Sequence, residues 1–135
     1  MVRKEDRGEG KFDVFVDANK LASYTIQIVS NQKVFKPEYR TYLTDEIAKD
    51  ARNIFAYAWA ANNIRVKSKE DWDRRKNLQN RAIASCESLI VNIQIAKPVY
   101  HLRTKRVKYW GEWVLRVRSK LKAWKESDTK RYGKL

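Results

Sequence analysis

Cysteine and histidine each occur once in these 135 residues, proline twice and glycine four times. Each scarcity excludes something. A single cysteine, Cys86, permits no internal disulfide and fits a reducing compartment. One histidine and one cysteine cannot assemble a zinc site of the usual four-ligand kind. Four glycines and two prolines are too few to turn the corners of a hairpin-rich β fold. No run approaches the roughly eighteen apolar residues that would span a bilayer. Met1 to Arg7 is followed by no apolar stretch of a secretory signal. The chain is therefore expected to be soluble and cytoplasmic, with no membrane partner.

Negative charge is scarce as well: 16 acidic residues stand against 30 lysines and arginines, a net charge of +14. The excess is concentrated. Residues 1–96 hold 17 basic and 13 acidic residues, whereas residues 97–135 hold 13 basic and only 3 acidic. A charge this large resists compaction and draws polyanions, and its concentration in one region marks a binding surface rather than general solvation.

What is present is helical periodicity. Residues 1–11 are polar and basic, with Gly8 and Gly10, and read as a flexible arm. Val14, Phe15, Ala18, Leu21, Ala22, Thr25, Ile28 and Val29 recur at the spacing of one helix face, and Ser30 to Lys33 end that segment. A second helix is expected from Pro37, with Leu43, Ile47, Ala51, Ile54, Ala58 and Ala61 on its stripe. Phe55 and Trp59 widen that stripe. Ser68-Lys69-Glu70-Asp71 resembles a capping box opening a third helix, whose face carries Trp72, Arg75, Gln79, Ala82, Ile83, Cys86, Leu89, Ile90 and Ile93. Pro98 should stop or kink it. After a connector from Tyr100 to Arg106, a fourth helix shows Val107, Trp110, Val114, Val117, Leu121 and Trp124 in alternating steps of three and four. Four amphipathic helices joined by short connectors predict an all-α, antiparallel up-down four-helix bundle over residues 12–126, with a polar tail at 127–135.

Catalytic chemistry finds no foothold. His101 lies in a basic connector, where a phosphate or surface contact suits it better than general-base work. Cys86 falls on an apolar helix face and reads as a small buried hydrophobe. Di-metal bundles use a Glu-x-x-His pair, and Glu87 is followed by Ser88, Leu89 and Ile90 instead. Asp13, Asp17, Asp45, Glu46 and Asp50 read as solvated helix faces. The glycines form no phosphate-binding loop. No catalytic residue, metal or cofactor is expected, and the chain reads as a non-enzyme.

The basic set remains. Arg103, Lys105, Arg106 and Lys108 lead into the fourth helix, and Arg116, Arg118, Lys120, Lys122 and Lys125 follow along it. On a helical wheel Lys108 and Lys122 lie nearly opposite the apolar stripe, with Arg116 and Arg118 on its flanks. Arg74, Arg75 and Arg81, beside Lys76, make a weaker patch on the third helix, since Asp71 and Asp73 adjoin it. Such cations neutralise phosphates and release counterions, giving affinity without sequence readout. Tyr100, Tyr109 and Trp113 are interleaved with them and offer faces for unpaired bases. Trp113 stands at the edge of the stripe, where a subunit contact competes with stacking. Leu115 points outward.

Phe35-Lys36-Pro37-Glu38-Tyr39-Arg40 entering the second helix, Leu43-Thr44-Asp45-Glu46-Ile47, and the run from Ile54 to Asn62-Asn63 form a pattern. Arg75 and Gln79 ahead of the third apolar face, and Tyr109-Trp110 opening the fourth helix, extend it. From Phe12 to about Trp124 this resembles the accessory variability determinants of diversity-generating retroelements. Their relatives are the bundles encoded in intervening sequences of bacterial ribosomal RNA genes, which often carry a glycine soon after the Asn that ends helix two; Asn62-Asn63-Ile64-Arg65 has none. The resemblance implies a basic, ring-like homopentamer that binds RNA or DNA and a reverse transcriptase, supporting mutagenic complementary-DNA synthesis without catalysis of its own. The alternative it leaves is a general RNA- or ribosome-associated bundle with no polymerase partner.

Overall fold

The computed structural model describes the backbone of residues 4–135 and the side chains of residues 13–135. Its elements are all helical: α1 (Lys4–Val29), α2 (Asp45–Asn62), α3 (Lys69–Tyr100) and α4 (Thr104–Tyr132), with no strand among the described residues. The helical period in the sequence is therefore the one the chain adopts. None of the helices is long and apolar enough to cross a membrane.

The core is the sum of the expected stripes. Val14, Ala18, Leu21, Ile47, Ala51, Ile54, Ala58, Ala82, Cys86, Leu89, Val114, Val117 and Leu121 are buried together. Trp110 is wholly enclosed, and its indole Nε1 donates to Thr25 Oγ1 at 3.1 Å. Aromatic edges lock neighbouring helices. Phe15, early in α1, meets Trp59 late in α2 at 5.7 Å and Trp124 late in α4 at 5.4 Å, both edge to face. Asp50, early in α2, accepts from Ser88 Oγ and Asn92 Nδ2, both at 2.9 Å, late in α3.

Four features depart from the expectations. The arm assigned to residues 1–11 lies partly outside the described residues, at 1–3, and for the rest the backbone continues α1. Pro37 opens a short 3-10 turn (Pro37–Tyr39), followed by a π-helical turn (Arg40–Thr44), before α2 begins at Asp45. That leaves α2 at 18 residues, with Leu43 buried just ahead of it. Pro98 does not stop α3, which runs on to Tyr100. A proline this close to the end removes one backbone bond only, and exposed Gln94, whose carbonyl loses it, is open to water. The helix stops instead at His101, in the left-handed region at φ 55°, where Leu102 N–H bonds back to the Lys97 carbonyl at 2.9 Å. Finally, the tail assigned to 127–135 is helical through Tyr132 because Asp128 is buried. Ser68 caps α3 as expected, its Oγ accepting from Asp71 N–H at 3.2 Å.

Candidate nucleic-acid interface

The apolar stripe of α4 faces the core, which turns the opposite side of that helix outward. Arg103, Lys105, Arg106 and Lys108 are exposed at its start, and Arg116 and Lys122 further along. None of the six has an ion pair among the described residues. At 1.5 Å per residue, Lys108 and Lys122 stand about 21 Å apart along the axis. Lys125, half-buried, closes the row.

The other expected residues are engaged or placed elsewhere. Arg75 is withdrawn from any surface role: it is 6% exposed, and its Nε donates to Asp128 Oδ2 at 2.8 Å. Its guanidinium also donates to the Ile64 carbonyl and lies 5.2 Å from the centre of the Trp124 ring. Gln79 Nε2 donates to the same Asp128 oxygen at 2.8 Å. A buried guanidinium requires a buried carboxylate, so these residues are structural. Lys120 is bonded to both Asp13 and Asp17 of α1. Burial works to lower its pKa, but the hydrogen bonds and charges of Asp13 and Asp17 outweigh that and hold the ammonium above its usual range. Arg118 pairs with Glu87 of α3 at 3.7 Å. Arg74 pairs with Asp71 at 3.6 Å, and Arg81 lies 5.8 Å from the Tyr57 ring. Arg74 and Arg81 thus lie on α3, apart from the α4 row.

The carboxylates account for what the sequence concealed. Asp13, Asp17 and Glu87, read as solvated or unassigned, face α4 cations from neighbouring helices. Asp50 is buried rather than solvated; burial raises its carboxyl pKa, against the lowering effect of the Ser88 and Asn92 hydrogen bonds. No local signal marks any of these pairings, because the partners stand 31 to 107 positions apart in the chain.

The aromatics separate in the same way. Tyr100 is 6% exposed, packed between Phe35 and Tyr39, with its hydroxyl 2.7 Å from Thr44 Oγ1, so it offers no face to a base. Tyr109 is 55% exposed beside Lys105 and Lys108. Trp113 is half-buried and forms a cluster with Tyr109 and with Tyr24 of α1, ring centres 5.1 to 5.8 Å apart. Burial raises the Tyr24 pKa, while the positive charge of Arg106 lowers it. Cys86 is buried, and loss of solvation pushes its thiol up to about 12, leaving an unreactive group. No group of three or more His, Cys, Asp or Glu that would hold a metal ion exists among the described residues.

No known protein family, curated protein or solved structure matches this chain. The site rests on its own geometry.

Proposed function

We propose that this chain is a non-catalytic, cytoplasmic, nucleic-acid-binding bundle, antiparallel and up-and-down, that serves as the accessory protein of a reverse transcriptase in a diversity-generating retroelement. One observation carries the nucleic-acid part. Six exposed cations with no ion pair among the described residues run from the start of α4 along it, while Arg118 and Lys120 of that helix and Arg74 and Arg75 of α3 face carboxylates and Arg81 packs on a ring. Solvation alone gives no reason for that division. The row suits a phosphate backbone, and Tyr109 beside it suits an unpaired base. RNA, template or complementary DNA, and a polymerase partner follow from the resemblance in residues 35–63 and at Tyr109-Trp110, as does assembly into a homopentamer.

RNA binding measured against salt, on material of known mass in solution, tests this. If all six cations engage a single strand, log affinity should fall against log salt with a slope of about −4. Lys108→Ala with Lys122→Ala should flatten the slope by roughly 1.4 and weaken all sequences equally, while each substitution leaves stability within about 0.5 kcal/mol. Flat or absent binding would remove the nucleic-acid reading. Steep binding without capture of a reverse transcriptase would leave the general RNA-associated bundle in its place.

A further inference from the structure

We propose that the groove between the α1–α2 connector and the start of α4 binds the terminal phosphate monoester of a nucleic-acid strand. It is lined by Lys33 and Lys36 from the connector after α1, by His101 and Arg103 between α3 and α4, and by Arg106 in the first turn of α4. The remaining lining is apolar or aromatic, and no carboxylate contributes to it. The volume is about 540 Å³, room for a phosphate together with the nucleotide that bears it.

Lys33, Lys36, Arg103 and Arg106 have no ion pair among the described residues, in contrast to Arg75, Arg118 and Lys120. Their charge is left for something outside the fold. Concavity decides what that is. An internal phosphodiester carries one charge, and its strand lies along a convex face such as the outward side of α4. A terminal monoester carries nearly two charges and three strong acceptor oxygens at the end of a chain, which is what a concave cluster of donors accommodates. The start of α4 adds to this potential. Arg103 makes no side-chain cap there, and the first turn holds no acidic residue. His101 is the one described non-glycine residue with positive φ, a position where glycine is usual and a side chain costs roughly 1 kcal/mol or more. The chain keeps an imidazole there, in the groove wall.

This proposal rests on the nucleic-acid reading above, so its test must separate the two. The full chain is titrated at fixed salt with one single-stranded oligoribonucleotide bearing a 5′-phosphate, a 3′-phosphate or neither. The parent should bind one phosphorylated form about tenfold tighter than the unphosphorylated strand, the worth of one charge-assisted hydrogen bond. Lys33→Ala with Lys36→Ala should abolish that preference and leave the unphosphorylated strand within about threefold of the parent. Both lysines are exposed, and Lys36→Gln alone serves if the double variant unfolds, with a partial loss of preference expected. Lys108→Ala with Lys122→Ala should weaken every strand and keep the preference. Equal binding of the three forms by the parent overturns the groove and leaves the α4 interface standing; failure to bind any strand overturns both. Displacement of the phosphorylated strand by an equal concentration of adenosine monophosphate overturns the assignment to a strand end.

Discussion

At the scale of single residues, polar and aromatic side chains in this bundle divide by what lies across from them. Trp110 fills the centre of the molecule and anchors Thr25. Trp110→Ala should destabilise the fold by roughly 3 to 5 kcal/mol, read as a lower urea midpoint; an unchanged midpoint would mean the indole does not fill the core. Asp50 behaves in the opposite sense to an ion-paired carboxylate. Its folded pKa lies above the usual aspartate range, mainly through burial. A raised pKa means the native state holds its proton longer than the unfolded chain. The stability this group contributes is therefore present in acid and lost as pH rises through the folded pKa. Asp50→Asn can still accept from Ser88 and Asn92 through its amide oxygen without burying a charge. It should be at least as stable as the parent at pH 7, and its advantage should vanish in acid. Unfolding midpoints at the two pH values test this, and a loss at pH 7 would refute it.

At the scale of elements, the late turns of α4 are held to the early turns of α3 by Asp128. Asp128→Ala would leave the Arg75 guanidinium 6% exposed without its carboxylate. A cost of about 3 to 5 kcal/mol is expected, and Arg75→Met with Asp128→Leu should recover most of it. Equal losses in the single and double variants would show that packing, not charge, sets the effect. The stripe of α4 and the Ser68 cap were legible in the sequence because each is written within one or two helical turns. The end of α4 was not. Asp128 continues the stripe four residues after Trp124 and four before Tyr132, but a carboxylate at that step reads as the end of the apolar face, and the arginine that makes its burial tolerable lies 53 positions away. The basic face was half legible for the same reason. Charge could be counted along the chain, but which cations were neutralised depended on Asp13, Asp17 and Glu87 arriving from other helices.

At the scale of the whole molecule, a net charge of +14 on a folded chain acts in two directions. Like charges along α4 repel one another, so screening should favour the compact state, while the same screening weakens contact with a polyanion. Raising sodium chloride from about 0.05 to 0.5 M should lift the thermal midpoint and lower RNA affinity together, in differential scanning and titration on one preparation. A thermal midpoint that fell with salt would show that the ion pairs at Lys120 and Arg118 outweigh the repulsion.

Three residues, His101 to Arg103, join α3 to α4, whereas α1 meets α4 through pairs 85 to 107 positions apart. Short-range closure is entropically cheaper, so the α3–α4 pair should assemble before the α1 seam closes over it. The α4 cations belong to that pair. A partly unfolded chain then offers polyanions nearly the same surface as the native one, and a ligand that binds both states protects neither in full. Nucleic acid should stabilise this protein by less than its affinity for the native state alone would give.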